Sequence, residues 1–152
     1  MDSKDRQIIR ALQRNARITN QDLAEAVNLS PSPCLRRVRN LEASGAIRGY
    51  TANADAALYG LPVTVFVRIK LERHNEKEVR HFEARVKAID EVQECYVMTG
   101  QMDYLLRVVV SDLDDYETFI RTRIHPIGGV ASIDTSFAYS QVKKSSVFPE
   151  RP

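Results

Sequence analysis

The sequence predicts an α+β chain in two parts: a helix-only first third, then a β-α-β-β-α-β unit. Three observations carry this. Apolar residues recur at helical spacing in three short segments before residue 45. From residue 63, alternating β-branched runs and amphipathic helical runs follow in the order strand, helix, strand, strand, helix, strand. Between the two parts, residues 51–62 hold no sustained period and include Gly60 and Pro62, the composition of a linker.

The first part reads as a winged helix-turn-helix over residues 1–50, with its reading unit at about residues 20–39. Ile8, Ile9 and Leu12 give a first helix, about residues 3–14, its apolar stripe. Thr19 is a good N-cap with Asp22 three residues on. Leu23, Ala24, Ala26 and Val27 are the expected buried side of a short second helix. It ends near Asn28, a residue type that tolerates the left-handed conformation of a tight turn, and Leu29 tucks beneath that turn. Ser30 caps a third helix over about residues 30–44, and Pro31 suits its first position. Pro33 still lies in the first turn, where a missing N–H removes no internal bond. Leu35, Val38 and Leu41 are expected to face the core, and Gly45 to follow the helix end. The run AIRGYTA (46–52) reads as an extended segment turning at Gly49, a small wing. A crossing strand is expected within the linker, residues 51–62.

The second part, residues 63–142, reads as a ferredoxin-like unit. VTVFVRIKLE (63–72) alternates as a strand. Residues 75–89 are an amphipathic helix with Val79, Phe82, Val86 and Ile89 inward. Strands are expected at 92–99 and 104–111 around the turn GQMD, a helix at 112–124 capped by Asp112 and packed through Leu113, Tyr116, Phe119 and Ile120, and a last strand at 130–142. Residues 143–152 form a tail. Two helices cover one side of such a sheet. Alternating apolar residues expected on the other side call for a two-fold partner.

Composition narrows the function. Hydrophobic residues make up 43% and charged residues 28%, ordinary for a globular protein. No apolar run approaches the ~20 residues that span a bilayer, and the start MDSKDRQ is polar. No membrane partner and a cytoplasmic setting are therefore expected. Cys34 and Cys95 lie far apart and outside any C-x-x-C pair, so each reads as a small semi-buried residue. His74, His81 and His125 show no ligand spacing, and no metal or cofactor is expected. Charge is uneven: residues 1–60 carry nine Lys/Arg against six Asp/Glu, and residues 61–152 carry 13 against 14. Between Ser30 and Gly49, Arg36, Arg37, Arg39 and Arg48 meet only Glu42.

That basic stretch suits a phosphate backbone. With the apolar positions inward, the third helix presents Ser32, Arg36, Arg39 and Asn40 outward, with Arg37 beside them. Arg takes guanine O6/N7 and Asn takes adenine N6/N7. Ser30 and Ser32 sit where helix N-terminal N–H groups hold phosphates. The expected DNA-binding set is Asn20, Ser30, Ser32, Pro33, Arg36, Arg37, Arg39, Asn40 and Arg48.

In the second part the turn MTGQMDY (98–104) is the most informative feature. Gly100 permits a tight turn and close approach of a ligand to backbone. Free N–H groups there plus the Asp103 carboxylate suit a zwitterion. A plain hairpin turn with Asp103 bonded to its own backbone fits the same residues. Asp112, Asp114 and Asp115 cluster at a helix start, where acidic caps are structural, and no nucleophile–base pair is evident, so no enzyme is expected. An RNA-binding reading would recruit Tyr96 and Phe66, but the aromatic–glycine pattern it needs is missing.

The run DRQIIRALQRNARITNQDLAEAVNLSPSPCLRRVRNLEASGAIRGYTA resembles the DNA-binding half of the Lrp/AsnC (feast/famine) transcriptional regulators. VQECYVMTGQMDYLLRVVVSDLDDYETFI resembles the same family's ligand-sensing domain, and the resemblance covers nearly the whole chain. It implies a regulator whose DNA binding responds to an amino-acid effector held in clefts between dimers of an octamer-like ring. Gly100 and Asp103 match the family's loop positions, with Met98 beside them. Gln101 and Met102 are where side-chain choice would be tuned. Leu113, Ser136, Phe137 and Ala138 fall where the family's response residues lie. The partners implied are double-stranded DNA at a pseudo-palindromic operator, a small-molecule amino acid and the chain itself, as a homodimer assembling to a tetramer or octamer. Rival readings are an architectural DNA-wrapping protein and a small-molecule or enzymatic domain whose helical half only contacts protein.

Overall fold

A computed structural model describes residues 1–150. The chain divides into two compact units, Met1–Asn53 with Val142–Pro152, and Ala54–Gln141.

The first unit holds α1 (Ser3–Arg14), α2 (Asn20–Ala26) and α3 (Pro31–Ala43). A reciprocal capping box starts α1: the Asp2 carboxylate accepts the Asp5 N–H, and the Asp5 carboxylate accepts the Asp2 N–H. Thr19 caps α2 by accepting from the Asp22 N–H. Asn28 closes the turn at φ +53°, the left-handed geometry expected of it. The Leu29 N–H donates to the Ala24 carbonyl, 2.9 Å away, and Leu29 packs on the core. That core is Ile8, Leu23, Ala24, Val27, Cys34 and Leu41, all buried.

Two side chains depart from the sequence reading. Ala26 is exposed. On α3 it is Cys34, fully buried, that faces inward, while Leu35 is 38% exposed. The 3.6-residue turn explains this: positions 34 and 41 lie within about 20° of one another around a helix, whereas 35 and 41 differ by about 120°. After Gly45 (φ +74°) the chain runs irregularly. The Ile47 N–H donates to the Leu41 carbonyl and Ile47 packs on the core, and no strand or hairpin forms in residues 46–52. The tail belongs to this unit too. Arg10 donates to the Phe148 carbonyl, Gln13 donates to the Ser146 carbonyl and accepts the Phe148 N–H, and Arg10 pairs with Glu150.

The second unit holds β1 (Val63–Leu71), α4 (Glu76–Lys87), β2 (Val92–Val97), β3 (Tyr104–Val110), α5 (Leu113–Phe119) and β4 (Val130–Phe137). The strands form one antiparallel sheet in the order β2-β3-β1-β4, the ferredoxin-like arrangement. Strict alternation on β1 buries Val65, Val67, Ile69 and Leu71 beneath the helices, with Phe82, Val86, Leu106, Val108, Tyr116, Phe119 and Ile124. Asn75 caps α4 and Asp112 caps α5.

Further expectations change in this unit. No crossing strand forms in residues 51–62. The Asp55 carboxylate accepts the N–H groups of Ala57 and Leu58, and Tyr59 bonds back to the Asp55 carbonyl, winding this stretch into a turn. α5 stops at Phe119 and continues as a π turn, Ile120–Ile124, then a 3-10 turn, His125–Ile127. Leu113 is exposed rather than packed. β4 ends at Phe137, the Ala138 N–H makes one last bond to Thr64, and the chain leaves the sheet. The uncovered side of the sheet is mixed, not apolar: Phe66, Leu105 and Tyr96 alternate there with the pairs Arg68–Asp134 and Arg107–Glu94.

Candidate DNA-reading face and effector loop

Ser30 stands at the N-cap of α3 with extended backbone, and its hydroxyl makes no capping bond. From there Ser32, Arg36, Arg39 and Asn40 are all exposed along one side. Pro33 is half-buried in the first turn, and Arg48 is exposed beyond the helix. Cys34 and Leu41 fasten the opposite side, so packing aims the polar side at solvent. Burial raises the Cys34 thiol above its usual range, which keeps it a packing residue.

Two expected DNA contacts are otherwise engaged. Arg37 Nη1 lies 2.7 Å from an Asp2 carboxylate oxygen and 2.8 Å from one of Asp5. The guanidinium is held by the N-terminus of α1 rather than left for a phosphate. The Asp5 N–H and then Arg37 hold the Asp2 carboxyl below its ordinary value. Asn20 Nδ2 donates to the Pro31 carbonyl at 2.9 Å, which ties the start of α2 to the start of α3. Its Oδ1 is buried and has no partner among the described residues. Asn20 therefore helps set the position of α3, and its amide nitrogen is spent on that bond. Beyond α3, Tyr50 donates to Glu42 at 2.8 Å; its phenol is pushed up to about 12, first by burial and then by that carboxylate.

The β2–β3 turn is pinned to the end of β1. Met98 donates to the Asp103 carbonyl, and the Asp103 N–H donates to the Ile69 carbonyl, both at 2.8 Å. One Asp103 carboxylate oxygen accepts the Leu71 N–H at 2.7 Å; the other lies 2.8 Å from His74 Nε2. The Leu71 N–H, with His74 adding to it, depresses the Asp103 carboxyl below its usual range. Gly100 takes φ +115°, a region open to glycine. Gly100, Gln101 and Met102 make no backbone hydrogen bond among the described residues. Their N–H groups and a held carboxylate are the polar groups a zwitterion needs.

The remaining expected effector residues lie elsewhere. Phe137 pairs with Val65, near the start of β1, whereas Asp103 bonds Leu71, six residues further along. At about 3.3 Å per residue that is roughly 20 Å. Leu113 follows the end of β3, where Val110 pairs with Val63, so it belongs to the Phe137 end. The chain thus brings Leu113, Ser136, Phe137 and Ala138 to one end of the sheet and Met98, Gly100, Gln101, Met102 and Asp103 to the other. The far group is itself divided. Ser136 accepts a bond from Arg68, while Phe137 meets Tyr116 edge-on with ring centroids 5.1 Å apart.

Sequence reasoning missed His74 and the Leu71 N–H. Their link to Asp103 spans about thirty positions and follows only from the strand register. Arg68, tying Ser136 and Asp134, was likewise hidden.

A helix-turn-helix unit whose third helix exposes a basic face, joined in one chain to a ferredoxin-like unit, is the build of a two-domain DNA-binding regulator. Residues 1–48 match the family described as winged helix-turn-helix DNA-binding, and residues 64–148 match the Lrp/AsnC ligand binding domain. The chain belongs to the Lrp/AsnC family of transcriptional regulators. It is 38% identical over 146 residues to the leucine-responsive regulatory protein of Haemophilus influenzae, covering 96% of this chain and 88% of that one. It is 40% identical over 149 residues to the Bkd operon transcriptional regulator of Pseudomonas aeruginosa, covering 98% and 97%. Among solved structures, an AsnC family regulator from Agrobacterium tumefaciens superposes with TM-score 0.93 at 38% identity, covering 98% and 97%. A Neisseria meningitidis transcriptional regulator in complex with L-Met gives 0.92 at 34% identity, covering 98% and 96%. No helix among the described residues is long and apolar enough to cross a membrane.

Proposed function

We propose that this chain is a sequence-specific DNA-binding regulator whose assembly and DNA affinity respond to an amino acid bound between chains. One observation carries the reading. The residues expected to hold the effector are split between two ends of one sheet, roughly 20 Å apart, so a single chain cannot close around a molecule as small as an amino acid. The site is completed when the loop of one chain meets the Leu113 and Phe137 end of another. The Neisseria relative solved with L-Met supports an amino acid as the effector class. Arg36, Arg39 and Asn40 read base edges, and Ser30, Ser32 and Arg48 contact phosphates. Homodimers bind a pseudo-palindromic operator and assemble further, with no enzymatic step and no cofactor. The effector changes DNA binding by its different affinity for two assembly states. The architectural alternative draws no support from the match to a ligand binding domain.

The test is a thermal-shift screen of the full chain against the twenty amino acids, followed by DNA binding with and without the hit. A ligand that binds the native state raises Tm. A hit that also changes assembly or DNA affinity bears the reading out. No hit, or a hit that leaves both unchanged, overturns the effector half.

A further inference from the structure

We infer that Leu35 reads DNA: its side chain meets the 5-methyl group of a thymine in the major groove. The inference rests on the reading face proposed above. Between Asp2 and Gly49, Leu35 is the one large apolar side chain left exposed among the described residues, and it is 38% exposed. Its inward role is already filled by Cys34 and Leu41, which are buried, so nothing in the core requires a leucine there. On the helix surface its neighbours are Pro31 and Ser32 before it and Val38 and Arg39 after it. Val38 turns to the core, while Ser32 and Arg39 are exposed. An apolar protein partner is poorly matched to such a spot, because Arg36 and Arg39 would have to be desolvated without partners. The major groove suits it. There a thymine methyl is the apolar group on the base-pair edges, beside acceptors that Arg takes and phosphates that Ser takes.

The size of the effect follows from the apolar surface involved. Burying about one methyl group changes affinity about fourfold per half-site. That is smaller than the effect of removing a bidentate arginine–guanine pair, so Leu35 tunes specificity where the arginines supply most of it.

A duplex enriched from a random pool by the full-length wild-type chain serves as probe. Its thymines are replaced one at a time by deoxyuridine, which lacks only the 5-methyl, and dissociation constants are read by fluorescence anisotropy at fixed salt. The wild type should lose about fourfold at one thymine in each half-site. Leu35→Ala, which lacks the contact in both half-sites, should bind the parent duplex about sixteenfold weaker and be indifferent to deoxyuridine there. Leu35→Met, which keeps an apolar side chain of similar reach, should retain the discrimination and covers the case of an unstable Ala variant. A wild type blind to every replacement overturns the inference. So does a Leu35→Ala protein that keeps the full deoxyuridine loss, even while Arg36→Ala and Arg39→Ala weaken binding. If those arginine variants bind the parent duplex like wild type, or no sequence enriches, the reading face fails and Leu35 with it.

Discussion

The Asp103 carboxylate accepts the backbone N–H of Leu71 at 2.7 Å, so the turn after β2 is fastened to the last residue of β1. That bond sits where the β1–β4 register shifts, between Lys70 and Leu71. A side chain thus satisfies a backbone group that the sheet leaves unpaired.

Stability should therefore depend on the charge of Asp103. The native carboxyl titrates below its ordinary 3.8 because the Leu71 N–H, then His74, favour the ionised form. A depressed native value contributes stability above the unfolded pKa, and the contribution is lost as pH falls through the native one. In Asp103→Asn the amide oxygen still accepts from Leu71 but carries no charge. Without ligand, wild type should exceed this variant by about 1 kcal/mol at pH 7. The gap should close as pH drops from about 4 downward. Denaturant titrations from pH 7 to 3 check this; a gap independent of pH would mean that the charge contributes nothing.

Arg37 offers a contrast between position and role. It stands beside the proposed base-reading residues in sequence, yet its guanidinium lies between Asp2 and Asp5. Arg37→Ala should lower the melting temperature of the helical unit slightly, and less so at high salt, because these charges are exposed to screening. Its effect on DNA affinity should be small beside those of Arg36→Ala and Arg39→Ala, each of which should cost roughly 1–3 kcal/mol under the proposed base contacts. A loss of affinity for Arg37→Ala equal to theirs, with folding unchanged, would return it to the DNA interface.

The tail should protect α1. Gln13 both donates to Ser146 and accepts from Phe148, so one side chain makes two of the tail's bonds. Truncation after Gln141 should destabilise the helical unit by about 1 kcal/mol, and Gln13→Ala should reproduce most of that. Hydrogen exchange across residues 3–14 measures it directly. Unchanged protection in both variants would show the tail to be merely resting there.

What the sequence made legible was local. The 3.6 and 2.0 periods, the caps at Thr19 and Asp112, and the left-handed Asn28 are each decided within a few residues, and each stands in the structure as expected. Expectation and structure part where two local answers compete. Cys34 and Leu35 both fit a loose helical pattern, and hydrophobicity favours the leucine, but the helical angle favours the cysteine. Leu113 has the residue type of a core position, but Asp112 caps the helix just before it and leaves the first turn at the rim. The rest was not local. Bonds from Asp103 to Leu71 and from Gln13 to Phe148 join distant segments, and only the folded chain brings them together. Equally illegible was the separation of the candidate effector residues, because it depends on strand register rather than residue type.

That separation yields a prediction about mixed assemblies. If each effector site takes its loop from one chain and its Leu113–Phe137 end from another, two variants defective for opposite reasons should complement. Asp103→Ala removes the carboxylate at the loop. Phe137→Ala alters the far end, where the ring rests against Tyr116. Alone, each homo-oligomer should lose the thermal shift given by the effector. Unfolded together and refolded at equal ratio, about one site in four would pair an intact loop with an intact far end. Calorimetric titration should then recover a tight-binding fraction near that value, while both parent variants show none. Complementation requires the two groups to come from different chains. A site built within one chain would stay broken in every mixture, and the mixed sample would titrate like its parents.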